Sequence, residues 1–286
     1  MRRTLVVRLL AAAAVLYGAW AAFTQQNKQA PQPMKVNKIT DDLYELEQSG
    51  NGNVAIYLTD DGVILVDDKF EQNYDDIMAN VKKLTDKPVK YVLNTHQHGD
   101  HTGSNAKMIA NGVQIIIHKN ARANMVKGKQ PGVPQMAYAD QFQLVLGGKE
   151  VDAYYNGRGH TNGDVAIYFP ALRAVHTGDL FTTSAGAGTV APILDYANGA
   201  SAADWPQTLE GILKLDFDTV IPGHGALMKR ADLEKFRAGF LTMQTRVRDM
   251  SRQNKSRDDI SKMLQMDFGW GALNTGGLDR MIAELK

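Results

Sequence analysis

Two periodicities divide the chain. Leu43-Tyr44-Glu45-Leu46-Glu47 and Asn53 to Leu58 alternate apolar with polar, and Gly62 to Val66 is apolar throughout. Each reads as a strand, with Asp60-Asp61-Gly62 as the hairpin turn between the last two. Ile77, Met78, Val81 and Leu84 recur at helical spacing and predict a helix from Tyr74 to Leu84. Behind Pro88, the short run Val89 to Asn94 predicts a buried strand, and a helix capped by Ser104 or Asn105 is expected soon after. Further strands are expected at Val113 to Ile117, Phe142 to Leu146, Val151 to Tyr155, Val165 to Phe169, Ala174 to Thr177 and Thr219 to Ile221. Helices are expected at Ala203 to Leu213 and from Ala231 to the end. Strands mixed with helices in two similar halves make this an α/β protein.

The N-terminus follows another logic. Arg2, Arg3 and Arg8 precede an uncharged run, Leu9 to Phe23, with Ala19-Trp20-Ala21 as a small-x-small cleavage site. This predicts a secretory signal peptide over residues 1–22 and a periplasmic or secreted protein. The run falls short of the ~20 residues of a membrane-spanning helix. A membrane anchor is the alternative if the segment stays uncleaved. Residues 23–37, rich in Gln, Pro and Lys, read as a tether, leaving 38–286 as one domain. Hydrophobic content of 44% allows a large core. A net charge of +1 gives no footing for a polyanion, so no nucleic-acid partner is expected. With no cysteine, both disulfides and thiolate metal ligands are excluded.

The chemistry concentrates just after the strand at Val89, in His96-Gln97-His98-Gly99-Asp100-His101. Imidazole nitrogen and carboxylate oxygen suit zinc, and four such donors on so short a segment suggest two metals side by side. This stretch resembles the H-x-H-x-D-H signature of the metallo-β-lactamase superfamily. Val63 to Asp67, Gly157-Arg158-Gly159-His160-Thr161, Thr177-Gly178-Asp179-Leu180-Phe181 and Ile221-Pro222-Gly223-His224-Gly225 resemble the family's other motifs in their expected order, over roughly Lys38 to Ala226.

The resemblance implies a four-layer αββα sandwich. It implies that His96, His98 and His160 hold one metal, that Asp100, His101 and His224 hold a second, and that Asp179 bridges them. Two Zn²⁺ per chain are expected, though iron or manganese fits the same donors. The implied reaction is attack of a metal-bound hydroxide on the carbonyl of a small-molecule β-lactam-like amide, lactone or thioester, with Asp100 shuttling the proton. Asp179 is a departure from true lactamases, one group of which places a cysteine here, and resembles glyoxalase II-type thioesterases and quorum-signal lactonases. A periplasmic accessory protein beside a quinoprotein dehydrogenase is the alternative outside hydrolysis.

The remaining candidates carry simpler expectations. Asp67 is expected to orient the site and Asp68 to be solvated. His118 is expected to be structural, and His176 to be either behind the site or packed in the core. Arg158 and Lys119 are candidate contacts for a substrate carboxylate. Ser184 to Gly188 is a candidate lid, Tyr196 a candidate pocket wall, and Trp205 core.

Overall fold

The computed structural model describes residues 33–286 apart from 184, 185, 187 and 188. The expected signal peptide, most of the tether and four of the five lid residues lie outside the described residues. Met34–Lys286 form one compact unit. Its first strand, β1 (Lys35–Lys38), begins inside the stretch read as tether. Its polar sequence carries no core pattern, and it is recruited by backbone pairing to β2 (Leu43–Glu47).

Two sheets follow. In the first, β1, β2, β3 (Val54–Leu58) and β4 (Val63–Val66) run as an antiparallel meander, and β4, β5 (Val89–Asn94), β6 (Gln114–His118) and β7 (Met136–Tyr138) are parallel. In the second, β8 (Gln141–Leu146), β9 (Lys149–Tyr154), β10 (Ala166–Phe169) and β11 (Ala174–His176) are antiparallel, β12 (Thr219–Ile221) joins β11 in parallel, and β13 (Met228–Lys229) closes the edge.

The helices are α1 (Tyr74–Leu84), α2 (Gly99–Thr102), α3 (Asn105–Ala110), α4 (Lys119–Lys127), α5 (Trp205–Ile212), α6 (Arg230–Arg252), α7 (Arg257–Phe268), α8 (Ala272–Thr275) and α9 (Leu278–Leu285). In α1, Asp75 and Asp76 in the first turn and Lys82 and Lys83 in the last complement the helix dipole. None of the described helices is long and apolar enough to cross a membrane.

Packing makes four layers. Tyr57, Ile64, Val66 and Leu93 of the first sheet meet Val151, Ile167, Phe169 and Ile221 of the second. The rings of Tyr57 and Phe169 lie edge to face at 5.2 Å. A buried aromatic such as Phe169 contributes about 3–5 kcal/mol against its truncation to Ala. Ile77 and Val81 of α1, with Met108, cover the outer face of the first sheet. Trp205, Leu209, Phe240, Leu264 and Met281 cover the second. Because both faces of β4 and β10 are covered, every residue in them is buried, which is why they read as unbroken apolar runs.

Candidate metal centre

The site collects where strand ends meet. The chain leaves β4 at Asp67, passes Lys69, and both residues adopt left-handed backbone (φ 62° and 57°). The buried Asp67 carboxylate accepts from the Thr95 amide, the Thr95 hydroxyl and His101 Nδ1, each at 2.7 Å. It thus fixes both ends of the segment after β5. The sequence suggests that all these ligands sit on a loop. Instead Gly99–Thr102 is helical, and the His98 carbonyl accepts from the amides of His101 (2.9 Å) and Thr102 (3.0 Å). The turn carries no side-chain cap, so nothing local in the sequence marks it. The expected helix does start at Asn105, but Ser104 is no cap. Its hydroxyl donates to the Phe70 carbonyl instead.

All seven candidate ligands converge. His96 Nε2, His98 Nδ1, His160 Nε2 and an oxygen of Asp179 form one group, and Asp100, His101 and His224 form another. His98 Nδ1 stands 3.1 Å from His96 Nε2 and 2.8 Å from His160 Nε2. His224 Nε2 stands 3.3 Å from His101 Nε2 and 3.2 Å from Asp100 Oδ2. Asp179 lies between the groups. Its Oδ2 is 3.6 Å from His160 Nε2, and its Oδ1 is 3.3 Å from both His101 Nε2 and His224 Nε2.

The far side sets the tautomer of four of the five rings. His101 Nδ1 donates to Asp67, His160 Nδ1 to the Ile193 carbonyl (2.7 Å) and His98 Nε2 to Asp195 Oδ2 (2.9 Å). Thr95, already donating to Asp67, accepts from His96 Nδ1 at 3.1 Å. The inward-facing nitrogens of these four histidines therefore present lone pairs in their neutral forms. Lone pairs crowded within about 3 Å of one another call for a cation among them. Asp179 Oδ1 is buried with no hydrogen-bond partner, as an oxygen reserved for a metal should be. The residues fit metal ions on both grounds.

The family model of the metallo-beta-lactamase superfamily matches residues 49–224. The chain belongs to this superfamily. It is 27% identical over 179 residues to the metallo-beta-lactamase IND-1 of Chryseobacterium indologenes, covering 61% of this chain and 72% of that one. It is 26% identical over 151 residues to the alpha subunit of 2,4-dinitroanisole O-demethylase of Nocardioides sp. (strain JS1661). That alignment covers 52% of this chain and 44% of the subunit's length. Among solved structures, the DIM-1 metallo-beta-lactamase superposes with a TM-score of 0.65 at 17% identity over 74% of this chain and 99% of that one. A metallo-beta-lactamase from Pontibacter korlensis gives 0.62 at 20% identity, over 73% and 99%. These likenesses establish the αββα sandwich. The chain is a metal-dependent hydrolase of the superfamily with a His/Asp metal site.

Burial and charge act differently on the two ligand groups. Burial holds His96 well below its usual range and also lowers His160. Burial opposes protonation of His101 and His224 too, but Asp179 and neighbouring carboxylates overcome it. His101 is pushed well up, and His224 to about 9. For Asp179, burial is outweighed by His224 and His101, which hold its carboxyl well below the usual range. Without metal, the second group thus gathers protons where a cation would sit.

The site opens into a cavity of about 510 Å³, walled by Glu47, Ser49 and Asn51 on one side and by Thr182 and Ile193 on the other. Several sequence expectations end elsewhere. Asp68 is not solvated. It is fully buried beside Asp67, accepts from the Ser104 amide (3.1 Å), and burial drives its carboxyl well up. Arg158 is paired with Asp204, and Lys119 is exposed at the start of α4; neither lines the cavity among the described residues. Tyr196 donates to Glu284 (2.7 Å) rather than lining the cavity. Trp205 is core, its indole N–H donating to the Leu180 carbonyl. His118 is buried and stacks on Tyr155 at 4.1 Å, a structural place as expected. His176 is buried behind the site, with Nδ1 accepting from the Gly178 amide (3.1 Å). Sequence reading missed Asp195, Lys69 and Asn53. None lies in a motif, and each finds its partners only through the fold.

Proposed function

We propose that this chain is an exported dinuclear zinc hydrolase that opens an activated carbonyl in a small molecule: a lactone, a thioester or a β-lactam-like amide. The observation that carries the reading is Asp179, whose two carboxylate oxygens face the two ligand groups. His96, His98 and His160 would hold the first ion, Asp100, His101 and His224 the second, and Asp179 both. When bound, a zinc pair lowers the pKa of water from 15.7 to about 7 and stabilises a developing oxyanion. The cavity volume suits a small substrate. The Ile193 side chain offers it an apolar surface.

The Asp100 side chain, 21% exposed, reaches both the second group and the cavity. It takes the proton released as the attacking oxygen bonds to the carbonyl carbon, and returns it to the leaving oxygen, sulfur or nitrogen as that bond breaks. Asp67, Asp195 and the Ile193 carbonyl hold the imidazoles in the tautomers this requires.

The test is a hydrolysis panel on zinc-loaded protein: a chromogenic cephalosporin, acyl-homoserine lactones, lactoylglutathione and 2,4-dinitroanisole, the last because one relative is named for that activity. Turnover of a lactone or thioester with two zinc ions per chain is expected. No turnover of any carbonyl substrate by the dinuclear protein would remove the reading and favour the accessory role. Export rests on residues 2–23, and N-terminal sequencing of periplasmic protein should give a start near Ala22.

A further inference from the structure

We infer that Lys69 is a positioning residue for the second ligand group, holding His101 from both sides. Lys69 is among the largest fully buried side chains, although lysine is rarely buried without a task. Its main-chain carbonyl accepts from the amides of Gly103 (2.7 Å) and Ser104 (3.2 Å), which follow directly on the helical turn bearing Asp100 and His101. Its ammonium donates to the carbonyl of Gly52, in the loop between β2 and β3. One residue therefore ties down the turn behind His101 and the loop in front of it.

That loop bears directly on the ligands. A Cβ on Gly52 would stand 2.6 Å from His101 Cε1 and 2.7 Å from Nε2, the nitrogen that faces the site. Only glycine lets the backbone come so close. The next residue, Asn53, reaches the other histidine of the group. Its amide donates to the Gly223 carbonyl (2.7 Å), and its side chain donates to the carbonyls of Pro222 (3.0 Å) and Gly225 (2.8 Å), on either side of His224. The histidines of the first group have other holds: His96, His98 and His160 meet Thr95, Asp195 and the Ile193 carbonyl.

Electrostatics alone would give Lys69 the opposite role, since a cation near a metal repels it. Glu45 offsets this. It too is fully buried, and it is the foremost of the carboxylates acting on Lys69. Removing the amine chiefly removes the anchor, because a buried Glu45 left alone takes up a proton rather than stay charged.

The inference rests on the two-metal reading, and the test separates the two. Zinc content and the affinity of each site are measured by competition with a chromophoric chelator. The chains compared are wild type, Lys69→Met and the Lys69→Met/Glu45→Gln double variant, with apo-protein melting as the folding control. The expected result is two sites in wild type, and in both variants a second site weakened by about 10–100-fold with the first unchanged. If Lys69→Met does not fold, Lys69→Gln takes its place. Two wild-type sites with the variant's second site unchanged, or with both sites weakened equally, overturn the inference alone. A wild type that binds only one zinc overturns the two-metal reading and the inference with it.

Discussion

The two ligand groups sit side by side, share Asp179, and are built on different principles. The first has three imidazoles, with His96 and His160 kept neutral by burial. Two of its three lone pairs are thus in place before any metal arrives; His98, which Asp195 and Asp179 raise against the effect of burial, is the exception. The second mixes Asp100 with two histidines that neighbouring carboxylates keep protonated. It must shed protons to bind, and its His224 and Asp100 side chains are partly exposed. The first is thus mostly a set of neutral imidazoles, and the second a charge-balanced group; each leans on outer partners, Asp195 behind His98 and Asp67 behind His101. Neighbouring positions in one cleft need not share a way of holding a cation.

The largest test removes what they share. Asp179→Ala takes one ligand from each group and leaves the first with three imidazoles, a sufficient zinc set. Metal analysis should give about one zinc per chain, and steady-state kinetics a loss of about a hundredfold or more. Two zinc ions and full activity would make Asp179 no bridge.

Next come the outer supports. Asp67→Asn keeps the shape but offers a donor where three donors converge. It should weaken the second site by about 10–100-fold in a zinc competition titration, through His101, and the first by clearly less, through Thr95 and His96. Asp195→Ala should do the converse, weakening the first site by about tenfold through His98. Matching losses at both sites in either variant would break the comparison.

His118 is the control, a buried histidine outside both ligand groups whose Nε2 meets the Ala139 carbonyl. Burial pulls it down to about 4 against ~6.5 when unfolded. Between these values the unfolded chain binds a proton that the folded chain refuses. Stability is therefore intact above pH ~6.5 and lost as pH falls toward 4, by up to about 3 kcal/mol. Urea unfolding of the apo-protein across this range should show a shallower acid slope for His118→Gln. The smallest effect belongs to Arg158→Ala. It breaks an exposed pair with Asp204 and should change stability by less than about 1 kcal/mol and KM not at all.

The ligands were legible because they are packed into short motifs at strand ends, where apolar runs announce themselves. All seven come together, as the family resemblance implied. What lay hidden is what the motifs lean on. Asp195 stands 97 residues from His98 and is an ordinary loop aspartate until the fold closes. Asp68 reads as solvated because an aspartate pair usually is. Its burial follows from the left-handed turn at Asp67, which no local pattern encodes. Strand β1 has too few apolar residues to be seen, and exists through its pairing with β2.

Strands β11 and β12 run parallel in register, and just past their ends stand Asp179 and His224. Neighbouring strands lie about 4.8 Å apart, a spacing set by the peptide hydrogen bond. Side chains at adjacent strand ends need only small adjustments to meet, and Asp179 Oδ1 stands 3.3 Å from His224 Nε2. The closeness of these two donors is thus inherited from the main chain.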